Sequence, residues 1–172
     1  ISFLEKVVNI NSGTLNLKGV EMVGKEFATA FTEIGFESTW IPMPEEMNRA
    51  GHLFAEIKGT KGKKLLLIGH LDTVFEEDSP FQTFKMVNDS IAHAPGGNDM
   101  KGGNVIVLYA LKALRENGLL DDAQIIVAFT GDEESTGSPL EKSRYDLIEA
   151  AKRSDIGLGF ETSTGFNYAT VA

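Results

Sequence analysis

The chain has no cysteine. That excludes disulfides, thiolate metal sites and a cysteine nucleophile, and it leaves the redox compartment open. No apolar run approaches the roughly 18–20 residues of a transmembrane helix, and no signal peptide is visible. The chain is also short of positive charge: 16 basic residues against 25 acidic ones give a net charge of −9. Nucleic acid and an anionic membrane are therefore excluded as expected partners. The acidity suits bound cations, although an acidic surface kept for solubility gives the same balance. The first residue is Ile1 rather than Met. The expectation is that an N-terminal piece is missing, and localisation is not readable.

What is present describes an ordinary globular chain, with 42% apolar and 24% charged residues over 172 positions. That length predicts one domain, taking about 100–200 residues per domain. Helical spacing of Phe3, Leu4, Val7 and Val8 predicts a helix over 2–10 with Ser2 as N-cap. A second helix is expected over 18–34, ended by Gly35. Strands are expected at 36–41, 52–58 and 63–69, with 59–62 as a hairpin loop between the last two. A weak strand–turn–strand signal surrounds Asn88 and Asp89. A glycine-dense turn, 94–103, leads to a helix over 104–117 that is apolar nearly all round and so expected to be buried. A buried strand at 125–129, a helix at 140–152 and a last buried strand at 156–160 follow. The tail, 162–172, carries one apolar–polar alternation. The order predicts an α/β fold with three α/β/α layers around a mixed, largely parallel sheet.

Three expected strands run out into polar groups. The first ends in Gly69-His70-Leu71-Asp72, the second in Asp132-Glu133-Glu134 and the third in Glu161. Ligands and catalysis in open α/β sheets lie at such strand ends. His70 and Asp72 are two apart, so an extended chain points both to one face, where the carboxylate can help fix the imidazole tautomer. Asp99 adds another acid from the glycine turn. Converging carboxylates raise one another's pKa unless cations hold them ionised. Mixed His and carboxylate ligands suit Zn²⁺, with Mn²⁺ or Co²⁺ as substitutes. Each feature alone has a bland reading: a strand-end His is commonly structural, and paired glutamates are commonly solvated surface. His52 is read as a structural or surface residue, and His93, close in sequence to Asp99, as structural.

Together, Gly69-His70-Leu71-Asp72-Thr73-Val74, the run Pro95-Gly96-Gly97-Asn98-Asp99-Met100-Lys101-Gly102-Gly103 and Gly131-Asp132-Glu133-Glu134 resemble the signature blocks of the cocatalytic zinc exopeptidases and deacylases. That family includes aminoacylases, acetylornithine deacetylase, succinyl-diaminopimelate desuccinylase and glutamate carboxypeptidases. The segment Gly159-Phe160-Glu161-Thr162-Ser163 is most similar to the glutamate carboxypeptidase branch. The resemblance implies His70, Asp99, Glu134 and Glu161 as metal ligands, with His70, Asp99 and Glu161 around one zinc and Asp99 bridging to the other beside Glu134. It implies Glu133 as general base, Asp72 as the group that orients His70, and a cis peptide after Asp99.

The implied activity is hydrolysis of an amide bond, as a carboxypeptidase releasing a C-terminal amino acid such as glutamate. The alternatives are an N-acyl amino acid deacylase or a di- or tripeptidase and, in another class, a non-catalytic metal- or partner-binding domain. Family members complete the catalytic domain with a later segment carrying a further His ligand, and they carry a lid that often forms a homodimer. Residues 1–172 are thus expected to be part of a catalytic domain that holds two zincs when intact. This chain is expected to bind one zinc or none and to be inactive alone.

Overall fold

The computed structural model describes residues 1–163, 165 and 169–171. The elements in chain order are α1 (Ser2–Val8), α2 (Leu17–Glu33), β1 (Glu37–Pro42), a 3₁₀ turn (Glu45–Met47), β2 (Gly51–Lys58), β3 (Lys61–His70), β4 (Lys85–Asn88), β5 (Ile91–His93), an irregular helical turn (Gly97–Lys101), α3 (Gly102–Glu116), β6 (Ala123–Thr130), α4 (Leu140–Ser143), α5 (Tyr145–Lys152) and β7 (Ile156–Gly159). The alternation in the tail falls in large part on residues outside those described.

Five strands form one sheet in the order β1-β2-β6-β3-β7, and β4 pairs with β5 in a separate hairpin. β6 runs parallel to β3 and β3 parallel to β7, while β2 is antiparallel to both its neighbours. Alternation along β6 shows how the layers are built. Ile125, Val127 and Phe129 face one core with α1, α2 and α3, and Ile126 and Ala128 face a second core under α5. The first core centres on aromatic rings: Phe27 and Phe31 from α2 meet Phe129 at centroid distances of 5.4 and 5.7 Å. The second holds Phe54, Leu66 and Ala150. This is the expected three-layer α/β/α arrangement.

The ends of α2 follow from local chemistry. Asn16 accepts the Gly19 N–H at 3.1 Å, an N-cap that the helical spacing alone does not reveal. Gly35 takes φ of +86°, and the N–H groups of Gly35 and Phe36 return to the carbonyls of Thr32 and Phe31 at 3.0 Å each. That closes the helix in the left-handed conformation open to glycine.

Five expectations are corrected. Ser2 is the first residue of α1 rather than its cap, and no side chain caps that end. Residues 59–62 do not close a hairpin, because β6 lies between β2 and β3. The Gly59 and Thr60 N–H groups bond instead to the carbonyls of Ala123 and Asp122. β6 is buried from Ile125 to Thr130, so it takes the centre of the sheet. α3 buries Asn104, Val107, Leu108 and Leu111 on one side and exposes Ile106, Tyr109 and Leu114 on the other. Residues 140–152 form two helices broken at Arg144 (φ −97°, ψ 0°), whose guanidinium is engaged elsewhere. β7 is exposed rather than buried, because it stands at the sheet edge with Ile156 and Leu158 open to solvent.

Candidate metal centre

The parallel strands β3, β6 and β7 all end on one edge of the sheet. His70 is the last residue of β3 and pairs in register with Thr130, the last of β6. Its ring is buried, and the Nδ1–H donates to the Asp72 backbone carbonyl at 3.0 Å. That leaves Nε2 facing out of the sheet edge. It lies 3.0 Å from Asp99 Oδ1, 3.5 Å from Glu161 Oε1 and 4.0 Å from Glu133 Oε2. One ligand atom each from His70, Asp99 and Glu134 falls within 4.8 Å of the others. The imidazole is 1% exposed, whereas Asp99, Glu133 and Glu161 are 61%, 52% and 52% exposed. The site is therefore a buried base beneath an open rim of carboxylates.

Asp72 is fully buried and faces away from that rim. Its Oδ1 accepts the Glu133 N–H and its Oδ2 the Glu134 N–H, both at 3.0 Å. Oδ2 also accepts the Thr14 hydroxyl at 2.8 Å. One carboxylate thus holds the backbone of the loop that presents both glutamates. Thr14 belongs to a strap between α1 and α2 that sequence patterning does not single out. The Ser12 hydroxyl donates to the Leu71 carbonyl at 2.8 Å, and the Thr73 N–H donates to Ser12 at 2.8 Å. No periodicity marks these residues; their only signal is small hydroxyls beside a glycine. Asn104, another residue not singled out, donates to the His70 carbonyl at 2.6 Å from inside α3.

The glycine turn brings Asp99 to the same place. The peptide between Asp99 and Met100 is cis, as the resemblance implies. Met100 is buried, and Lys101 is 1% exposed with its ammonium donating to the carbonyls of Val7 and Ile10 at 2.9 and 3.0 Å. Burial pushes that ammonium down to about 7. A Cβ on Gly103 would lie 2.1 Å from the Phe160 carbonyl oxygen. Glycine there lets the end of β7, and with it Glu161, approach the turn.

Asp132 does not join the cluster. It is fully buried on the opposite side of the loop, where it accepts the Ser143 hydroxyl at 2.6 Å, the Gly137 N–H at 2.8 Å and the Arg144 guanidinium. Burial raises its pKa, but those hydrogen bonds and the Arg144 charge prevail and hold it below the usual carboxylate value. His52 is structural: it is buried, donates from Nε2 to the Ser143 carbonyl at 2.8 Å and accepts the Gly131 N–H at Nδ1 at 3.1 Å. His93 is exposed on β5 and packs edge-on against Phe81.

The electrostatics match crowded acids around one base. Burial lowers the His70 pKa, but the hydrogen bond and charge of Asp72, with Glu161 and Asp99, outweigh it and raise the imidazole to about 9. Burial raises Glu134, and the Asp99 charge adds to it. Burial likewise raises Glu161, supported by Asp99 and Glu133 against the pull of His70. Carboxylates and an imidazole nitrogen held this close, once a cation displaces the imidazole proton, are a donor set for a divalent cation of the borderline-hard kind. The residues fit a metal.

Residues 66–165 match Peptidase family M20/M25/M40. Carboxypeptidase G2 of Pseudomonas sp. (strain RS-16) is 38% identical over 174 residues, a span covering 96% of this chain and 39% of that protein. Among solved structures, human carnosine dipeptidase 1 superposes with a TM-score of 0.73 at 18% identity, covering 92% of this chain and 37% of that one. An M20 family metallo-carboxypeptidase, Sso-CP2 from Sulfolobus solfataricus, gives 0.71 at 20% identity, covering 91% of this chain and 36% of that one. These two likenesses establish the fold. The family match includes every strand end that carries the cluster. By fold, by the residues at those strand ends and by direct match, the chain belongs to the metal-dependent Peptidase family M20/M25/M40.

Proposed function

We propose that this chain supplies the metal-binding half of a zinc-dependent carboxypeptidase, one that releases a C-terminal amino acid such as glutamate. One observation carries the reading: His70, Asp99 and Glu134 present ligand atoms within 4.8 Å of one another at the ends of parallel strands. The identity to Carboxypeptidase G2 supports the carboxypeptidase assignment over the deacylase and dipeptidase alternatives. The chain spans 39% of that relative. We therefore read residues 1–172 as part of a catalytic domain whose other ligands and lid lie elsewhere in the full-length protein, the lid being where a homodimer would form.

In this reading His70, Asp99, Glu134 and Glu161 would hold zinc. When bound, zinc supplies Lewis acidity toward the scissile carbonyl and lowers the pKa of the attacking water. Glu133 takes the proton from that water and returns it to the leaving amine. Its exposed carboxylate, 4.0 Å from His70 Nε2, stands within reach of a water between them. Asp72 touches neither metal nor substrate. It fixes the Glu133 and Glu134 backbone, and it keeps the His70 ring turned so that Nε2 faces the site.

Zinc titration of this chain, with His70→Ala beside it, tests the ligand assignment. One tight zinc in the wild type, lost in the variant, is expected, together with no peptide turnover by the chain alone. Equal zinc binding by both proteins removes the site from His70. Two tight zincs with turnover show that the cluster is complete as it stands.

A further inference from the structure

Among the described residues, one buried side-chain polar atom has no hydrogen-bond partner: the Oδ1 of Asn104. Asn104 is fully buried in the first turn of α3. Its Nδ2 donates to the His70 carbonyl at 2.6 Å. That contact fixes the orientation of the amide. Turned over, it would set an oxygen against the His70 carbonyl oxygen, acceptor against acceptor. A buried acceptor without a partner costs stability, and an apolar side chain of the same size would avoid that cost. An apolar side chain, however, has no donor for His70.

Gly69 shows where the unpaired oxygen goes. A Cβ at that position would collide with Asn104 Oδ1 and stand 2.9 Å from the Met100 methyl. The missing side chain is the space that the amide occupies. The same end of α3 meets the other ligand-bearing segments. The turn that carries Asp99 runs directly into α3. A Cβ on Gly103 would collide with the Phe160 carbonyl just before Glu161, and the Thr162 hydroxyl donates to the Asn98 carbonyl at 3.1 Å. His70 Nε2 and Asp99 Oδ1 stand 3.0 Å apart, and the two elements that carry them are joined through Asn104.

We propose that Asn104 is a positioning residue for the metal centre. Seated on Gly69, its amide ties the His70 end of β3 to the first turn of α3 and so holds His70 at its spacing from Asp99. The assignment rests on the reading of His70 and Asp99 as metal ligands.

The experiment uses the full-length protein, stripped of metal and titrated with zinc against a chromophoric chelator. The site followed is the one that His70→Ala abolishes. Asn104→Ala lowers its affinity about 10–100-fold, the range produced when a group supporting a metal ligand is lost, at a temperature where circular dichroism shows the variant folded. Asn104→Ser, a milder truncation, lowers it too and keeps the test available if Asn104→Ala fails to fold. Leu111→Ala truncates another buried residue of α3; it lowers the urea midpoint and leaves the zinc affinity unchanged. Gly69→Ala also weakens zinc, and adding Asn104→Ala to it costs less than about twofold more, because both changes break one contact. Wild-type affinity in both Asn104 variants overturns the proposal and leaves the ligand reading standing. An equal loss in Leu111→Ala overturns it as well, since affinity then follows the stability of α3. A further loss of tenfold or more in the double variant separates Asn104 from Gly69 and overturns the seating. No zinc bound by the wild type sinks the ligand reading and the positioning role with it.

Discussion

The buried carboxylate of Asp72 accepts the backbone N–H groups of both Glu133 and Glu134, each at 3.0 Å. Asp72 and the Glu133-Glu134 pair, more than sixty positions apart in sequence, are thereby one unit. Asp72→Ala leaves those two donors and the Thr14 hydroxyl without their acceptor, and a buried unsatisfied donor costs about 1–3 kcal/mol. Urea unfolding of the metal-free chain is expected to show a loss of about 3 kcal/mol or more. Zinc affinity should fall in the same variant at temperatures where it remains folded. Full stability in Asp72→Ala contradicts the bracing role.

Glu133→Gln separates chemistry from binding. The substitution keeps the shape and removes the proposed base, and general-base catalysis contributes about 10²–10⁴-fold. In the full-length protein kcat is expected to fall by that factor while the zinc content, read by atomic emission, stays at the wild-type value. Unchanged kcat transfers the proton-accepting role to another group.

The raised pKa of His70 predicts two pH effects. In the metal-free chain the folded value of about 9 exceeds the unfolded value of 6.5. Protonated His70 therefore stabilises the fold fully below about pH 6.5, and this contribution is lost as pH rises through 9. The stability difference between wild type and His70→Asn is expected to shrink over that window. Zinc must also displace the proton, so affinity rises about tenfold per pH unit below 9, with close to one proton released. Calorimetry at pH 7 in buffers of different ionisation enthalpy measures that proton; its absence shows that His70 is already neutral.

Arg144 neutralises an otherwise isolated buried acid. Removing one partner of a buried pair destabilises by about 3–5 kcal/mol, and Arg144→Met is expected to do so in thermal or urea unfolding. Because the Asp132 pKa is depressed, its contribution is present above the ordinary carboxylate range. It is lost as pH falls through the lower folded value. The stability advantage of wild type over Asp132→Asn should therefore disappear in acid.

The sequence by itself determined the strand ends, the three signature blocks and the family. These depend on local chemistry: apolar runs bury, glycines turn, and His and acids follow where the runs stop. It also determined the layers, because alternation and helical spacing select the faces that must meet. Tertiary structure decided the rest. β2 and β3 read as a hairpin, but the burial of β6 placed it between them, and no local signal carries that information. Asp132, Glu133 and Glu134 are consecutive acids with the same local character. Asp72 pulls in the backbone of the last two while Ser143 and Arg144 claim the first. Which acids line the candidate metal centre and which is buried against an arginine is settled by partners more than ten residues away, so only the folded chain distinguishes them.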